Sequence, residues 1–235
     1  MIQSAPEISE KISVFSEDED IFITVENQKI LGTVFTNNEN SENSPEILTS
    51  DIRLRGAFHQ ENILPAIAVA KQFGVENSVI KKCISEFSGL PMRCEKIETE
   101  NSKKQNIQFF NDSFSTIPET SISAISILKT PLYLILGGSE KNSDFSGLAQ
   151  AISMNTNIIK VYLVGKTAIK ISEELEIHGY DDFLCMKNLE EIFQDFKKEA
   201  QSGDSLLLSP ACASFGMFKN YKERGERFNE LVGKF

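Results

Sequence analysis

The stretch "LLLSPACASFGMFKNYKERGERF", residues 206–228, begins like a buried strand and ends rich in aromatic and charged residues. Its three leucines lead directly into 209–214, a turn made of small residues and hydroxyls. A plain structural turn needs only Gly, Asn or Asp. We therefore interpret 209–214 as a turn that faces something other than protein.

Outward from this stretch, apolar segments of strand type alternate with amphipathic helical patterns. The predicted strands are 107–110, 132–136, 160–164, 183–186 and 205–209, and the predicted helices are 118–128, 144–154, 167–176 and 188–200. Repeated strand–helix units predict an α/β fold with a parallel sheet covered by helices on both faces.

The first part of the chain has a different organisation. "IFITV" and "KILGTVF" flank the polar "ENQ" and predict a β-hairpin, and 36–51 is predicted to be a polar loop. Helical spacing then predicts one helix over 61–73 and another that ends near Phe87, before Gly89 and Pro91. We place a domain boundary there, giving domains 1–89 and 90–235, and expect the first to be part of something larger.

Composition excludes several classes of protein. The 235 residues are 40% hydrophobic and carry a formal net charge of −10, which is typical of a soluble globular protein and unfavourable for binding nucleic acid or anionic membranes. The start lacks the pattern of a signal peptide, and no apolar run reaches the roughly 20 residues of a membrane span. The 4 scattered cysteines and 2 histidines do not favour a metal site. These features predict a protein of the reducing cytoplasm.

Polar and glycine-rich segments follow several of the predicted strands. Residues 111–113 read Asn-Asp-Ser, 137–138 are a glycine pair followed by Lys141, and 209–214 is the small-residue turn. The carboxyl ends of parallel strands meet at one edge of a sheet, where ligands bind. This combination suits a small anionic substrate held against a nucleotide.

Some features of this edge have purely structural interpretations. Thr116 to Glu119 has the form of a helix capping box. Residues 165–167, Gly-Lys-Thr, imitate the end of a phosphate-binding loop but lack its first glycine, so we interpret them as a plain turn. Cys212 is interpreted as a small buried residue, and Arg224 as a member of an ion pair.

Five motifs together resemble the latter half of the Mur ligases, over about residues 52–235. They are "LRGAFHQEN", "SGLPMRCE", "FNDSFSTIPET", "LILGGSEKNSDFSGL" and the "SPACAS" block with "KNYKERG". The last block is specific to the D-glutamate-adding branch of the family, whereas "GLPxRxE" and "ND" occur more widely. The resemblance implies a Rossmann-like C-terminal domain, preceded by the remainder of a central α/β ATPase domain.

The resemblance also implies an activity, that of a cytoplasmic ATP-dependent amide ligase of peptidoglycan synthesis. ATP with Mg²⁺ would phosphorylate the carboxylate of UDP-N-acetylmuramoyl-L-alanine, and the amine of D-glutamate would attack the acyl phosphate. By position, the residues facing the nucleotide would be Asn62, Arg93 and Asp112. Those facing D-glutamate would be Thr116, Lys141, Ser214 and Tyr221, with Lys141 as the carboxylate partner and catalytic cation.

The sequence departs from the family pattern at several places. Phe114 stands where some members have Lys, Phe58 and His59 replace the usual "HN", and Met92 replaces a common His. No G-x-x-x-x-G-K-[ST] loop occurs in the sequence, and the UDP-binding domain and the usual metal ligands are missing. We therefore expect the C-terminal portion of a ligase, inactive alone.

Other interpretations stay open at this point. The resemblance leaves undecided whether a separate chain carries the missing half. Another Mur ligase or a folylpolyglutamate synthase shares the layout, a non-catalytic amino-acid-binding module would keep the same pocket, and a decayed gene product would have no function.

Overall fold

The structure is a computed structural model that describes residues 10–15, 20–26, 29–35, 46–48, 57–139 and 142–235. By its internal contacts the chain falls into two compact units, Met1–Ser88 and Gly89–Phe235. Each unit is described by itself.

The first unit contains an antiparallel sheet in the order β1-β2-β3-β4. Its strands are β1 (Glu10–Phe15), β2 (Asp20–Glu26), β3 (Lys29–Phe35) and β4 (Glu46–Leu48). The predicted hairpin is confirmed, since β2 pairs with β3 and Glu26 lies opposite Lys29. The prediction of a loop throughout 36–51 is wrong, because β4 lies inside it and pairs with β3. A strand of three residues is too short to show a period in the sequence.

Two helices complete the description of this unit, α1 (Ala57–Gln72) and α2 (Asn77–Glu86). Helix α1 packs against β1, β2 and β3, and its Ile63 and Ile67 are buried. It begins at Ala57, before the predicted start at residue 61. The sequence did not show this earlier start, because the first residues of the helix carry no capping signal.

The second unit contains a six-stranded sheet in the order β5-β6-β10-β7-β8-β9. Its strands are β5 (Glu95–Ile97), β6 (Gln108–Asn111), β7 (Leu132–Gly138), β8 (Ile158–Gly165), β9 (Phe183–Cys185) and β10 (Ser205–Leu208). All neighbours are parallel except β5, which runs antiparallel to β6. The α/β class and the parallel sheet are confirmed.

Six helices accompany this sheet. They are α3 (Glu100–Gln105), α4 (Pro118–Ile127), α5 (Ser146–Ser153), α6 (Ala168–Ile177), α7 (Leu189–Glu199) and α8 (Tyr221–Gly233). The sequence did not predict β5 or α3. Both are short, and α3 (ENSKKQ) has no apolar stripe, so its start is set by the cap that Thr99 makes with Ser102.

The two faces of the sheet have separate hydrophobic cores. Helices α4, α5 and α6 cover one face, where Leu134 and Leu207 are fully buried. Helices α7 and α8 cover the other, where Leu206 and Phe109 are fully buried. Alternate residues of one strand point to opposite faces, so the unbroken "LLL" of β10 supplies both cores.

This arrangement creates a crevice at the end of β10. Strand β10 lies between β6 and β7, whose following helices α4 and α5 cover one face. The chain leaving β10 leads instead to α8 on the opposite face. Where neighbouring connections diverge to opposite faces, the carboxyl edge of a parallel sheet opens into a ligand crevice. The turn 209–214 lies at this point.

Candidate functional site

The turn 209–214 is held by backbone hydrogen bonds to the glycine-rich end of β7. Gly137 N donates to Pro210 O at 2.8 Å, and Ser139 N donates to Ala213 O at 2.8 Å. Ala211 has a φ of 58°, in the left-handed region that a residue with a Cβ seldom adopts. The surrounding bonds therefore hold the turn in an unfavourable conformation.

Both glycines at the end of β7 are required by close approach of other backbone, Gly138 to the turn and Gly137 to β8. A Cβ on Gly138 would lie 2.2 Å from Ala213 O, and one on Gly137 would lie 2.1 Å from Val164 O. Both contacts are with backbone atoms, which cannot turn aside as a side chain can. Gly138 thus fits the turn, and Gly137 fits β8, as backbone against backbone.

Asp112 follows β6 and lies beneath the turn. Its Oδ2 accepts hydrogen bonds from the hydroxyls of Ser115 and Ser209, and its Oδ1 accepts one from Cys94 N at 3.0 Å. Burial raises the pKa of the Asp112 carboxyl, and these hydrogen bonds and the charge of Arg93 oppose the increase. Both carboxylate oxygens are therefore engaged within the protein.

Arg224 of α8 joins the turns that follow β6 and β10. It is 2% exposed, and its guanidinium donates to Ser113 Oγ, to Ser113 O and to Cys212 O at 2.9–3.0 Å. Burial lowers the pKa of Arg224 to about 10. The prediction of an ion pair is wrong: among the described residues Arg224 forms none, because backbone carbonyls occupy the places of a carboxylate.

A small pocket opens beside this cluster at the end of the sheet. Its lining residues are Gly137, Gly138, Val164, Leu189, Leu208, Ser214, Met217, Phe218 and Arg224. The predicted acceptor residue Ser214 lies in this lining and is buried.

The structure brings together several of the residues predicted from the sequence. Arg93 lies 3.8 Å above the ring of Phe114, and that ring contacts Tyr221 with centroids 4.7 Å apart. The backbone oxygen of Tyr221 accepts a hydrogen bond from Ser113. Thr116 is half-buried in the segment that leads into α4. Arg93, Asp112, Thr116, Ser214 and Tyr221 thus share one edge of the sheet.

The remaining two predicted residues are Asn62 and Lys141. Asn62 is an exposed residue of α1, in the first unit. Lys141 lies outside the described residues, so its role stays a prediction.

Three smaller predictions have clear outcomes. The capping box at Thr116–Glu119 is wrong: Ile117 is the N-cap of α4 and makes no side-chain cap, since Pro118 occupies the first helical position. The Gly-Lys-Thr segment 165–167 is a plain turn between β8 and α6, as predicted. Cys212 is buried and lies 3.3 Å from Thr167 Oγ1.

Across 57–139, 142–235 and the described strands of the first unit, no group of three or more His, Cys, Asp or Glu side chains could hold a metal ion. In those same residues, no helix has the length and apolar character needed to cross a bilayer.

With the site described, the chain can be placed among known proteins. Residues 92–212 match the model of the Mur ligase glutamate ligase domain. The chain belongs to the Mur ligase family, as the sequence motifs predicted.

Its curated relatives specify the branch. A UDP-N-acetylmuramoylalanine--D-glutamate ligase of Thermoanaerobacter sp. (strain X514) is 39% identical over 199 residues, which are 84% of this chain and 42% of that protein. A ligase of the same name from Prochlorococcus marinus (strain NATL2A) is 38% identical over 80% of this chain and 39% of that protein. The chain thus spans about two fifths of the length of these relatives.

Solved structures agree on the fold. The UDP-N-acetylmuramate-alanine ligase MurC of Thermotoga maritima matches with a TM-score of 0.61 and 15% identity, over 88% of this chain and 44% of that one. A Mycobacterium tuberculosis folylpolyglutamate synthase matches with a TM-score of 0.55 and 12% identity, over 92% of this chain and 46% of that one. At these identities the likeness concerns the fold alone.

Several residues of the site were not singled out correctly from the sequence. The Ser113 carbonyl that Arg224 binds is distant from it in sequence. The two serines that bind Asp112, Ser115 and Ser209, carry ordinary hydroxyls that no pattern distinguishes. Phe114 was noted only as a departure from the family pattern, whereas the structure shows it between Arg93 and Tyr221.

Proposed function

We propose that this chain is the acceptor-binding part of an ATP-dependent ligase that adds D-glutamate to UDP-N-acetylmuramoyl-L-alanine, in the cytoplasmic synthesis of peptidoglycan precursors. The observation that carries the proposal is the turn 209–214, with buried Ser214, fixed at the crevice of the sheet by Arg224. The relatives that are 38–39% identical to this chain bear the name of that ligase.

The proposed reaction has two steps. ATP first transfers its terminal phosphoryl group to the substrate carboxylate, which gives an acyl phosphate and ADP. The amine of D-glutamate then attacks the acyl carbon, the tetrahedral intermediate expels phosphate, and the new amide nitrogen loses a proton. In this proposal Ser214, Thr116 and Tyr221 orient the amino acid, and Lys141 pairs with a carboxylate, since fixed donors and cations stabilise such charge.

ATP and Mg²⁺ also belong to this proposal, with a limit set by the residues present. Arg93 is a half-buried cation beside the crevice and would face the nucleotide, together with Asn62. Asp112 fits that role less well, because its two carboxylate oxygens are engaged by Cys94, Ser115 and Ser209. The described residues do not fit a Mg²⁺ site. We therefore propose that a further polypeptide segment holds the ATP phosphates and the metal.

Titration of the full chain with D-glutamate and with L-glutamate tests the acceptor site. Observed by amide NMR, D-glutamate should shift the resonances of Thr116, Ser214 and Tyr221, and L-glutamate should bind more weakly. Ser214→Ala should weaken binding, whereas Ser172→Ala, which removes a hydroxyl bonded only within α6, should not. Equal binding of both enantiomers, or shifts confined to other regions, would refute the assignment.

A second measurement tests catalysis. The chain is mixed with a polypeptide that carries the remaining length of the Thermoanaerobacter relative, and phosphate release is measured with all three substrates. Release that requires both polypeptides supports the ligase. Turnover by this chain alone contradicts its proposed dependence on another segment. D-Glutamate binding without any release from the mixture favours an amino-acid-binding module instead.

A further inference from the structure

The loop Met92–Cys94 is fixed at three points around Arg93. Met92 O accepts a hydrogen bond from Phe114 N at 3.1 Å, and Cys94 N donates to Asp112 Oδ1 at 3.0 Å. The side chain of Met92 packs on Gly225 of α8, where an added Cβ would lie 2.7 Å from its sulfur. The loop is therefore anchored to the segment that follows β6 and to α8.

The backbone on either side of Arg93 is in an unfavourable conformation. Met92 has a φ of 61° and Cys94 a φ of 49°, both in the left-handed region. Non-glycine residues stay in this region only where the surrounding structure holds them, and such positions cluster at ligand sites. The anchors described above supply that restraint, so the direction of the Arg93 side chain is set by the fold.

The guanidinium of Arg93 lies over an aromatic ring and is also attracted by the charge of Asp112. It lies 3.8 Å above the centroid of Phe114, within the range of a cation–π interaction. Among the described residues its side chain makes no hydrogen bond or ion pair. Five N–H donors are thus presented without an acceptor. The other contact of the Phe114 ring is Tyr221, at 4.7 Å and 77° between the ring planes.

We propose that Phe114 is a positioning residue that sets Arg93 and Tyr221 together. One side of its ring fixes the cation, and its edge-to-face contact fixes the aromatic ring. This rests on the proposed function, in which Arg93 faces the phosphate-bearing nucleotide and Tyr221 faces the acceptor amino acid. Phe114 would then link the two halves of the site, so that the cation and the acceptor pocket keep one relative geometry.

The test compares Phe114→Leu and Phe114→Met, which remove the ring, with Phe114→Tyr, which keeps it. Phe183→Leu is the control, because Phe183 is a similarly half-buried phenylalanine on the distant strand β9. The Nε–Hε resonance of Arg93 is recorded in the full chain. In the parent chain and in Phe114→Tyr the ring should shift this proton upfield, and in Phe114→Leu and Phe114→Met that shift should be lost.

Pyrophosphate then serves as the probe anion. Loss of the ring should weaken its binding about two- to five-fold, the factor that corresponds to a cation–π contact at a partly exposed site. Phe114→Tyr and Phe183→Leu should bind it as the parent chain does. Should one ring-deleted variant fail to fold, the other still gives the comparison.

The two ways of failing are distinguishable. An Arg93 resonance that is unshifted in the parent chain, or unchanged when the ring is removed, overturns the positioning role of Phe114. A normal Arg93 shift in a parent chain that binds no pyrophosphate instead overturns the nucleotide side of the proposed function.

Discussion

Replacing Arg224 with methionine should destabilise the second unit strongly. The guanidinium donates three hydrogen bonds, two to backbone carbonyls and one to the hydroxyl of Ser113. Hydrogen bonds from charged groups contribute about 1.5–3 kcal/mol each, or about 5–9 kcal/mol together. Burial of the cation opposes this: it lowers the pKa of Arg224 from 12.5 to about 10, which corresponds to roughly 3 kcal/mol. The net loss on substitution is therefore about 2–6 kcal/mol.

Thermal unfolding followed by circular dichroism measures this loss. In a unit of this size 1 kcal/mol corresponds to about 2–4 °C, so a loss of about 2–6 kcal/mol should lower Tm by about 4–24 °C. Arg227→Met is the matched control, one turn further along α8, where the side chain is partly exposed and pairs with Glu190 and Glu230. Such surface pairs contribute about 0–1 kcal/mol. The loss of Tm in Arg224→Lys should lie between the losses in these two variants, because an ammonium group lacks the planar fork of donors that a guanidinium has.

The comparison at these two positions decides the matter. If Arg224→Met lowers Tm no more than Arg227→Met does, the cation does not hold the two turns together, and the reasoning about the site is refuted. A loss of Tm without any shift of the Ser214 amide resonance would show that Arg224 stabilises α8 but does not place the turn.

Two further predictions concern the same edge of the sheet. Gly138→Ala should lower the free energy of unfolding by more than about 3 kcal/mol, because its Cβ would lie 2.2 Å from Ala213 O. Gly147→Ala in α5 is the control: its Cβ meets nothing within 4 Å, so Tm should stay unchanged or rise. Similar melting of both variants would contradict this. Burial raises the pKa of Asp112 above 3.8 in the folded state, so stability present below that pH should be lost as pH rises through the folded pKa. Thermal melts at several pH values check this: the Tm of Asp112→Asn relative to that of the parent chain should rise from acid to neutral pH. A difference in Tm that does not vary with pH would count against a raised pKa.

Local sequence patterns were sufficient for most of the second unit. Strand β7 is buried at every position, and the run "LYLILGG" shows this directly. Helix α7 has its apolar residues at helical spacing and an Asn cap, so its predicted bounds of 188–200 lie close to 189–199. These elements are set by the burial of their own side chains. Strand β5 and helix α3 were missed because three or six residues carry too little periodic signal.

The candidate site was predictable in its place and in part of its membership. Ends of parallel strands share one edge whatever the details of packing, so the segments that follow β6, β7 and β10 were expected to meet. The family motifs then singled out Arg93, Asp112 and Ser214. The partners of these residues were not predictable, because the sequence does not show whether a carboxylate such as that of Asp112 is bound by serine hydroxyls or by an arginine.

By itself, the sequence determined the α/β class, the positions of most strands and helices of the second unit, the family, and the edge of the sheet at which ligands are expected. These follow from periodicity, from chain direction and from motifs, all of which are local. Only the tertiary structure decided that β10 lies between β6 and β7, that Arg224 binds carbonyls instead of a carboxylate, and that Phe114 joins Arg93 to Tyr221. Contacts between residues up to about a hundred positions apart depend on how the elements pack, because packing chooses among many partners that the sequence allows equally.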